Sequence, residues 1–91
     1  MAGKLKYEGI NPLERLHLGE PWFFIRAQDK LSVDAVIAYS KLLQIESNKA
    51  AQEGKDDLAV SLSIDAAHVM NFAHNFLNWQ EANPDKVKLP D

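Results

Sequence analysis

The chain has 91 residues, with 10 Lys or Arg against 13 Asp or Glu, a formal net charge of −3 and no cysteine. The lack of cysteine excludes disulfides, zinc fingers, iron–sulfur clusters and thiol redox chemistry, and the negative charge disfavours nucleic acid as a partner. A domain this small has a thin core, so we expect self-association, as a homo-oligomer, to complete it.

No apolar run in the sequence reaches the roughly 18 residues that a membrane-spanning helix needs. The residues that follow Met1 are mixed and charged and lack the apolar stretch of a secretory signal. We therefore expect a soluble, cytoplasmic protein without a membrane partner.

The chain is predicted to form a flexible N-terminus, a single helical domain and an extended C-terminal tail, over residues 1–10, 11–83 and 84–91. Asn11 and Pro12 suit the cap and the first position of a helix. Gly19 ends such a helix, and the proline that soon follows keeps it from resuming. The pattern predicts a short helix over residues 12–18.

An aromatic segment comes next and carries the one convincing strand signal in the sequence. Residues 22–27 read Trp-Phe-Phe-Ile-Arg-Ala, which is rich in the aromatic and β-branched types that strands prefer. A lone strand leaves its backbone groups unsatisfied. It can pair with the C-terminal tail, pair with its copy in another protomer or stay an unpaired extended segment, and we favour pairing across protomers.

Two long helices are predicted after this segment. Ser32 suits the N-cap of the first helix, and Gly54 ends it. The second helix begins at Asp56 or Asp57 and runs to about Ala82, because an Asn-Pro pair then prevents continuation. A turn this short makes the two helices an antiparallel hairpin.

The first helix is apolar around most of its circumference, which is typical of a helix covered on more than one side. We expect one broad face of each helix to supply the core. These faces comprise Val33, Val36, Ile37, Tyr39, Leu43 and Ala50 on the first helix and Leu58, Leu62, Val69, Phe72, Ala73, Phe76 and Leu77 on the second.

The other side of the second helix has no formally charged residue between Asp65 and Glu81. Its polar groups are amides and imidazoles, namely Asn71, Asn75, Asn78, His68 and His74. Such groups suit a face that is partly covered and keeps its hydrogen bonds. We interpret this face as a seam between protomers, with amide recognition of a polar small molecule as the alternative.

Asp65 itself falls inside the apolar arc of the second helix. An unpaired buried carboxylate is very costly, so this one needs a partner. We expect a structural ion pair with Arg26, His17 or Lys30 that fixes the N-terminal segment to the helices. A functional acid is the alternative.

The densest polar cluster, residues 26–30, directly follows the aromatic segment. Arg26 can bind a phosphate or carboxylate bidentately, and Gln28 offers both a donor and an acceptor. Trp22 or Phe24 can stack on a flat ring. Together these residues predict a site for a nucleotide-like anion. A local ion pair between the arginine and the aspartate of the cluster is the alternative.

Catalytic and metal-binding constellations are weak in this sequence. No nucleophile has a nearby base, and there is no glycine-rich phosphate loop. His68 and His74 lie about 120° apart around a helix, so they cannot chelate one metal from one face. We expect no enzyme activity, no cofactor and no metal site.

Two stretches of the sequence resemble a signature of small proteins from tailed bacteriophages and prophages. The first covers residues 20–32, in which Glu-Pro, an apolar strand and Arg-Ala-Gln-Asp precede a helix. The second is the ending, with Trp79-Gln80 followed by residues 83–88 and Pro90-Asp91. The resemblance implies a phage origin and a place in the cytoplasm of the infected bacterial host, and it carries no mechanism. Small phage proteins without enzymatic motifs mostly block host proteins, sequester defence signals such as cyclic nucleotides, or act as minor morphogenesis or regulatory factors.

The combined prediction is a mainly α fold with a short N-terminal helix, one extended or strand segment and a long antiparallel helical hairpin that oligomerises. The leading hypothesis is a non-catalytic phage binding protein that sequesters a small anionic, nucleotide-type defence signal. Its predicted ligand-binding residues are Trp22, Phe24, Arg26, Gln28, Asp29, Asn71, His74 and Asn75. The last three would come from a helix of the same or a neighbouring chain. The alternative is an oligomeric protein–protein interaction, morphogenesis or regulatory factor with no small-molecule ligand.

Overall fold

The computed structural model describes residues 16–21 and 23–89 of the chain. Two α-helices dominate it, α1 over Ser32–Gln52 and α2 over Asp56–Ala82. A 3-10 turn, Pro84–Lys86, follows α2. The predicted mainly helical fold and its helical hairpin are confirmed. Neither helix of the described residues is long and apolar enough to cross a bilayer.

The connection between α1 and α2 depends on Gly54, as the sequence predicts. Its φ is +76°, a left-handed conformation that glycine adopts without strain. The N–H of Lys55 donates to the carbonyl of Ala50 at 2.8 Å, and the N–H of Gly54 donates to that of Ala51 at 3.1 Å. This pair of bonds is a Schellman motif, which ends α1 and satisfies its last carbonyls.

A seam of small residues joins the two helices. α2 presents Ala59, Ala66 and Ala73 at seven-residue intervals, and all three are buried. α1 faces them with buried Ser40 and Ser47, which are also seven residues apart. The hydroxyl of Ser40 donates to the carbonyl of Ala66 at 2.7 Å, and that of Ser47 donates to the carbonyl of Ala59 at 2.6 Å. The residue numbers of the bonded partners rise along one helix and fall along the other, so the two helices are antiparallel.

Large apolar side chains lie mostly beside this seam and not in it. The buried apolar core of the described residues consists of Ala50, Ala59, Ala66, Val69 and Ala73. The expectation that the broad apolar faces form the core is therefore wrong, in the single chain, for Tyr39, Leu58 and Leu77, which are 52%, 49% and 41% exposed. Small residues on the line of contact bring the helix backbones together, and bulky neighbours are displaced to the flanks.

The start of α1 differs from the prediction in one detail. Leu31 occupies the N-cap position, and Ser32 is the first helical residue, completely buried. The carboxylate of Asp29 accepts a hydrogen bond from the N–H of Leu31 at 2.8 Å. Ser32 does not cap the helix because its hydroxyl faces the preceding turn, where it lies 3.5 Å from the carbonyl of Ala27.

The predicted N-terminal helix lies largely outside the described residues. Where residues 16–18 are described, they are not helical. Glu20 closes a turn instead, since its N–H donates to the carbonyl of His17 at 3.0 Å and its carboxylate accepts the N–H of His17 at 3.0 Å. Gly19, with a φ of +80°, makes this turn possible.

The predicted strand over residues 22–27 has no regular structure between residues 23 and 26. Pairing occurs just beyond it, where Asp29 and Lys88 form an isolated parallel bridge. The C-terminal tail thus contacts the turn that follows the aromatic segment, and no strand forms within the described part of this chain. Pairing of the segment across protomers stays a prediction.

Candidate ligand-binding site

A pocket of about 520 Å³ lies where the aromatic segment meets the C-terminal tail. This volume is within the range of small-molecule sites, roughly 300–1,000 Å³. Aromatic, cationic and amide side chains converge on it. The lining residues are Phe23, Phe24, Arg26, Gln28, Asp29, Lys88 and Leu89.

Consecutive turns hold the N-terminal wall of the pocket. The N–H of Asp29 donates to the carbonyl of Arg26 at 2.9 Å, and the N–H of Ser32 donates to the carbonyl of Asp29 at 3.0 Å. The bond from the N–H of Leu31 to the carboxylate of Asp29 adds an Asx turn. Arg26 and Gln28 are therefore fixed to the start of α1 by backbone bonds and not by their own side chains.

The C-terminal tail supplies the facing wall. The N–H of Lys88 donates to the carbonyl of Gln28 at 3.0 Å, and the carbonyl of Lys88 accepts the N–H of Lys30 at 2.8 Å. These two bonds set the register of the tail against the turn. They bring a second cationic side chain, Lys88, and the apolar Leu89 to the pocket.

The end of α2 supports the turn from behind. α2 has 27 residues against the 21 of α1, so it runs about 9 Å past the start of α1. Gln80 lies in this overhang. Its side-chain nitrogen lies 2.9 Å from the carbonyl of Ala27, 3.0 Å from that of Asp29 and 3.2 Å from the hydroxyl of Ser32.

The charges at the pocket favour an anion. Arg26 and Lys88 are the cations of the lining, and Asp29 is its carboxylate. The alternative of a local ion pair between Arg26 and Asp29 is not observed. Ion pairs between described residues join Lys49 to Glu46 and Lys55 to Glu53, on the surface of the hairpin. The carboxylate of Asp29 instead accepts the backbone N–H of Leu31.

The predicted site residues divide between two places. Phe24, Arg26, Gln28 and Asp29 are brought together in the pocket. Trp22 lies outside the described residues. Asn71, His74 and Asn75 are exposed on α2 and do not line the pocket of their own chain. Their contribution from a neighbouring chain stays a prediction.

Sequence reasoning missed four residues of this site, namely Phe23, Gln80, Lys88 and Leu89. Nothing in the weakly alternating tail specifies its register against the turn, so Lys88 and Leu89 had no local signal. Gln80 did have one, because it continues the seven-residue row of Ala59, Ala66 and Ala73. A polar residue in that row indicates a contact beyond the end of the partner helix.

Asp65 and one ring nitrogen of His68, both on α2, are buried and do not line the pocket. Asp65 is buried, as its place in the apolar arc predicts, and its ion-pair partner stays a prediction. The Nδ1 atom of His68 is buried without a hydrogen-bond partner among the described residues. Within residues 16–21 and 23–89, no group of His, Asp or Glu side chains is arranged to hold a metal ion.

Comparisons with protein-family models, curated proteins and solved structures found no match to this chain.

Proposed function

We propose that this protein is a non-catalytic binding protein that sequesters a small anionic, nucleotide-type ligand in the pocket beside α1. The observation that carries the proposal is the convergence of Arg26, Lys88 and Gln28 with two phenylalanine rings on one cavity of about 520 Å³. The three kinds of side chain match the three parts of a nucleotide: its phosphate, the edge of its base and the face of its base.

Each side chain has a defined role in this proposal. Arg26 binds a phosphate through two parallel N–H bonds, and Lys88 adds a point charge. Phe23, which is 83% exposed, and Phe24 offer ring faces for a base. Stacking of a base on an aromatic ring is worth about 1–3 kcal/mol. Gln28 can both donate to and accept from a base edge.

The lining favours binding over turnover. Among the described residues, the lining contains no hydroxyl, thiol or imidazole side chain. Its carboxylate, Asp29, already accepts the N–H of Leu31. One oxygen of this carboxylate thus holds the turn, and no hydroxyl or thiol nucleophile among the described lining residues lies beside it for a base to activate.

The biological setting of the proposal comes from the phage-like signature. The more specific block of that signature, Arg-Ala-Gln-Asp at residues 26–29, forms the N-terminal wall of the pocket. A phage protein that retains a nucleotide-type defence signal in the cytoplasm of the infected host would use this wall directly. Its action would be stoichiometric, because each pocket holds its ligand without converting it.

Ligand binding can be tested with cyclic AMP, cyclic di-AMP and ADP-ribose, using thermal shift and calorimetry. We expect at least one of them to raise the melting temperature of the unmodified protein. Arg26→Ala should weaken its binding about 10–100-fold, since hydrogen bonds to charged groups contribute about 1.5–3 kcal/mol. Lys49→Ala, which removes a cation from α1, is the matched control and should bind normally. No shift with any of the three nucleotides would contradict the proposal.

Self-association is a second part of the proposal, supported by the surface of the hairpin. We use the name apolar flanks for the large apolar side chains that both helices leave exposed outside the seam: Tyr39, Leu42, Ile45, Leu58, Val60, Ile64 and Leu77. Large apolar side chains exposed on both helices are typical of a surface that another chain covers.

The same flanks support the alternative function, an interaction protein with no small-molecule ligand. Light scattering and native mass spectrometry of the unmodified protein and of Leu42→Glu separate the possibilities. We expect the unmodified protein to form an oligomer and Leu42→Glu to weaken it. Ser61→Glu, at an exposed position of α2, is the control. An oligomer that binds none of the nucleotides would favour the interaction protein, and a monomer at tens of micromolar would contradict self-association.

A further inference from the structure

We infer that Gln80 is a positioning residue of the pocket: from the end of α2 it fixes the turn that carries Arg26 and Gln28 opposite Lys88. The inference rests on the proposed binding function and assigns the residue that sets the shape of that site. Gln80 does not line the pocket and acts only through the turn.

The orientation of the Gln80 amide is determined by its partners. Two of them, the carbonyls of Ala27 and Asp29, can only accept hydrogen bonds. The amide nitrogen must therefore face them, and the reversed amide would place oxygen against oxygen. The third partner is the hydroxyl of Ser32, which is completely buried and itself lies 3.5 Å from the carbonyl of Ala27.

One amide group thus holds the turn at its beginning, its middle and its end. The carbonyl of Ala27 belongs to the peptide unit before Gln28, and that of Asp29 to the unit after Asp29, so these two bonds fix the backbone at both ends of the Gln28-Asp29 pair. The carbonyl of Gln28 then accepts the N–H of Lys88 at 3.0 Å. The amide of Gln80 is therefore connected through the turn to the backbone of both walls.

The seam places Gln80 at this point. Ala59, Ala66 and Ala73 lie against α1, and Gln80 is the next residue of the same row. α1 has already begun at Ser32, so the row faces the turn there and not a helix. Elsewhere in the row, alanine packs directly against α1. At residue 80, a longer side chain with two N–H donors reaches the turn. Without those donors, the turn samples other shapes, and the apparent Kd rises by the inverse of the fraction that stays competent.

The test compares Gln80→Met with Gln44→Met. Methionine is similar to glutamine in length and donates no hydrogen bond. Gln44 is an exposed helical glutamine whose amide bonds to Asn48 on the same helix, so its variant measures the general cost of the substitution. The probes are cyclic AMP, cyclic di-AMP and ADP-ribose, titrated by calorimetry. Hydrogen exchange then follows the amides of Lys30 and Lys88 in the ligand-free protein.

We expect Gln80→Met to keep the helicity of the hairpin, to weaken probe binding about tenfold or more, and to speed the exchange of the Lys30 and Lys88 amides. Exchange of the amides in α1 and α2 should not change. Gln80→Lys restores N–H donors and should restore the slow exchange of the same two amides, which a mere loss of helix stability would not explain.

Four results would overturn the inference. The first is Gln80→Met binding as tightly as Gln44→Met. The second is exchange that speeds up throughout both helices of Gln80→Met, since Gln80 would then support the hairpin as a whole. The third, for the same reason, is a Gln80→Met variant that does not fold together with a Gln80→Lys variant whose Lys30 and Lys88 amides exchange fast. The fourth is an unmodified protein that binds none of the probes, which refutes the binding function itself and is observed without any variant.

Discussion

The small-residue seam predicts how the hairpin responds to the loss of two hydroxyls. Ser40 and Ser47 each donate one short hydrogen bond to a carbonyl of the facing helix. A buried hydrogen bond contributes about 1 kcal/mol net, and the carbonyls of Ala66 and Ala59 keep their helical bonds, so the cost stays near that value. Alanine is also the better helix former by about 0.5 kcal/mol, which partly masks the loss.

A matched control removes this masking. Ser61 and Ser63 are exposed serines of α2, so Ser61→Ala with Ser63→Ala reports the helix propensity alone. Relative to that double variant, Ser40→Ala with Ser47→Ala should be about 2 kcal/mol less stable, because sites two turns apart act additively. For a domain of this size the melting temperature should fall by roughly 8–16 °C.

Thermal and urea denaturation followed by far-ultraviolet circular dichroism measure this difference. The protomer concentration must be the same for all variants, since self-association makes stability concentration-dependent. Equal stability of the two double variants would refute the seam as the contact that holds the hairpin together.

Two further predictions concern the turns. Gly54→Ala should destabilise the protein by about 1 kcal/mol because of its left-handed φ alone, since a Cβ there meets no atom within 4 Å. Gly54→Asn should cost less, and thermal denaturation measures both variants. Lys88→Ala should weaken nucleotide binding and leave the Lys30 amide slow to exchange. Lys88→Pro also removes the N–H that donates to Gln28, so it should weaken binding and speed that exchange, and equal exchange in the two variants would contradict the bridge.

The helix boundaries were accessible from the sequence because local chemistry sets them. Gly54 supplies the left-handed residue that ends α1, and the Asn-Pro pair at residues 83–84 ends α2. The N-cap of α1 was assigned wrongly to Ser32, since Asp29, three residues earlier, offers the same kind of acceptor to a neighbouring N–H. When two residues that can cap a helix lie three positions apart, the sequence alone does not show which of them binds the N–H groups at the helix start.

The packing face was harder to predict because the largest apolar side chains do not lie on it. Weighting by hydrophobicity favoured residues such as Tyr39 and Leu58, which the single chain leaves about half exposed. The informative signal was the seven-residue spacing of Ala59, Ala66 and Ala73 opposite that of Ser40 and Ser47. Small residues repeated along one row permit close approach of two backbones, and this approach determines which side chains are covered.

The sequence predicted only the part of the site whose residues lie close together along the chain. Residues 24–29 form one wall and lie together in the sequence, so their chemistry could be read directly. The position of the facing wall depends on how far α2 extends past the start of α1. Predicting this distance requires both helix lengths and the register of the seam. Lys88 therefore reaches Gln28 through tertiary structure alone.

The central claim is that an anionic nucleotide binds in this pocket, and nuclear magnetic resonance of the labelled protein tests it most directly. Titration with cyclic AMP, cyclic di-AMP and ADP-ribose should shift the side-chain signals of Arg26 and Gln28 and the backbone amides near Lys88. In Arg26→Ala, the shifts of Gln28 and of the amides near Lys88 should need about 10–100-fold more ligand. No shift with any of the three, or shifts confined to the exposed face of Asn71 and Asn75, would contradict the claim.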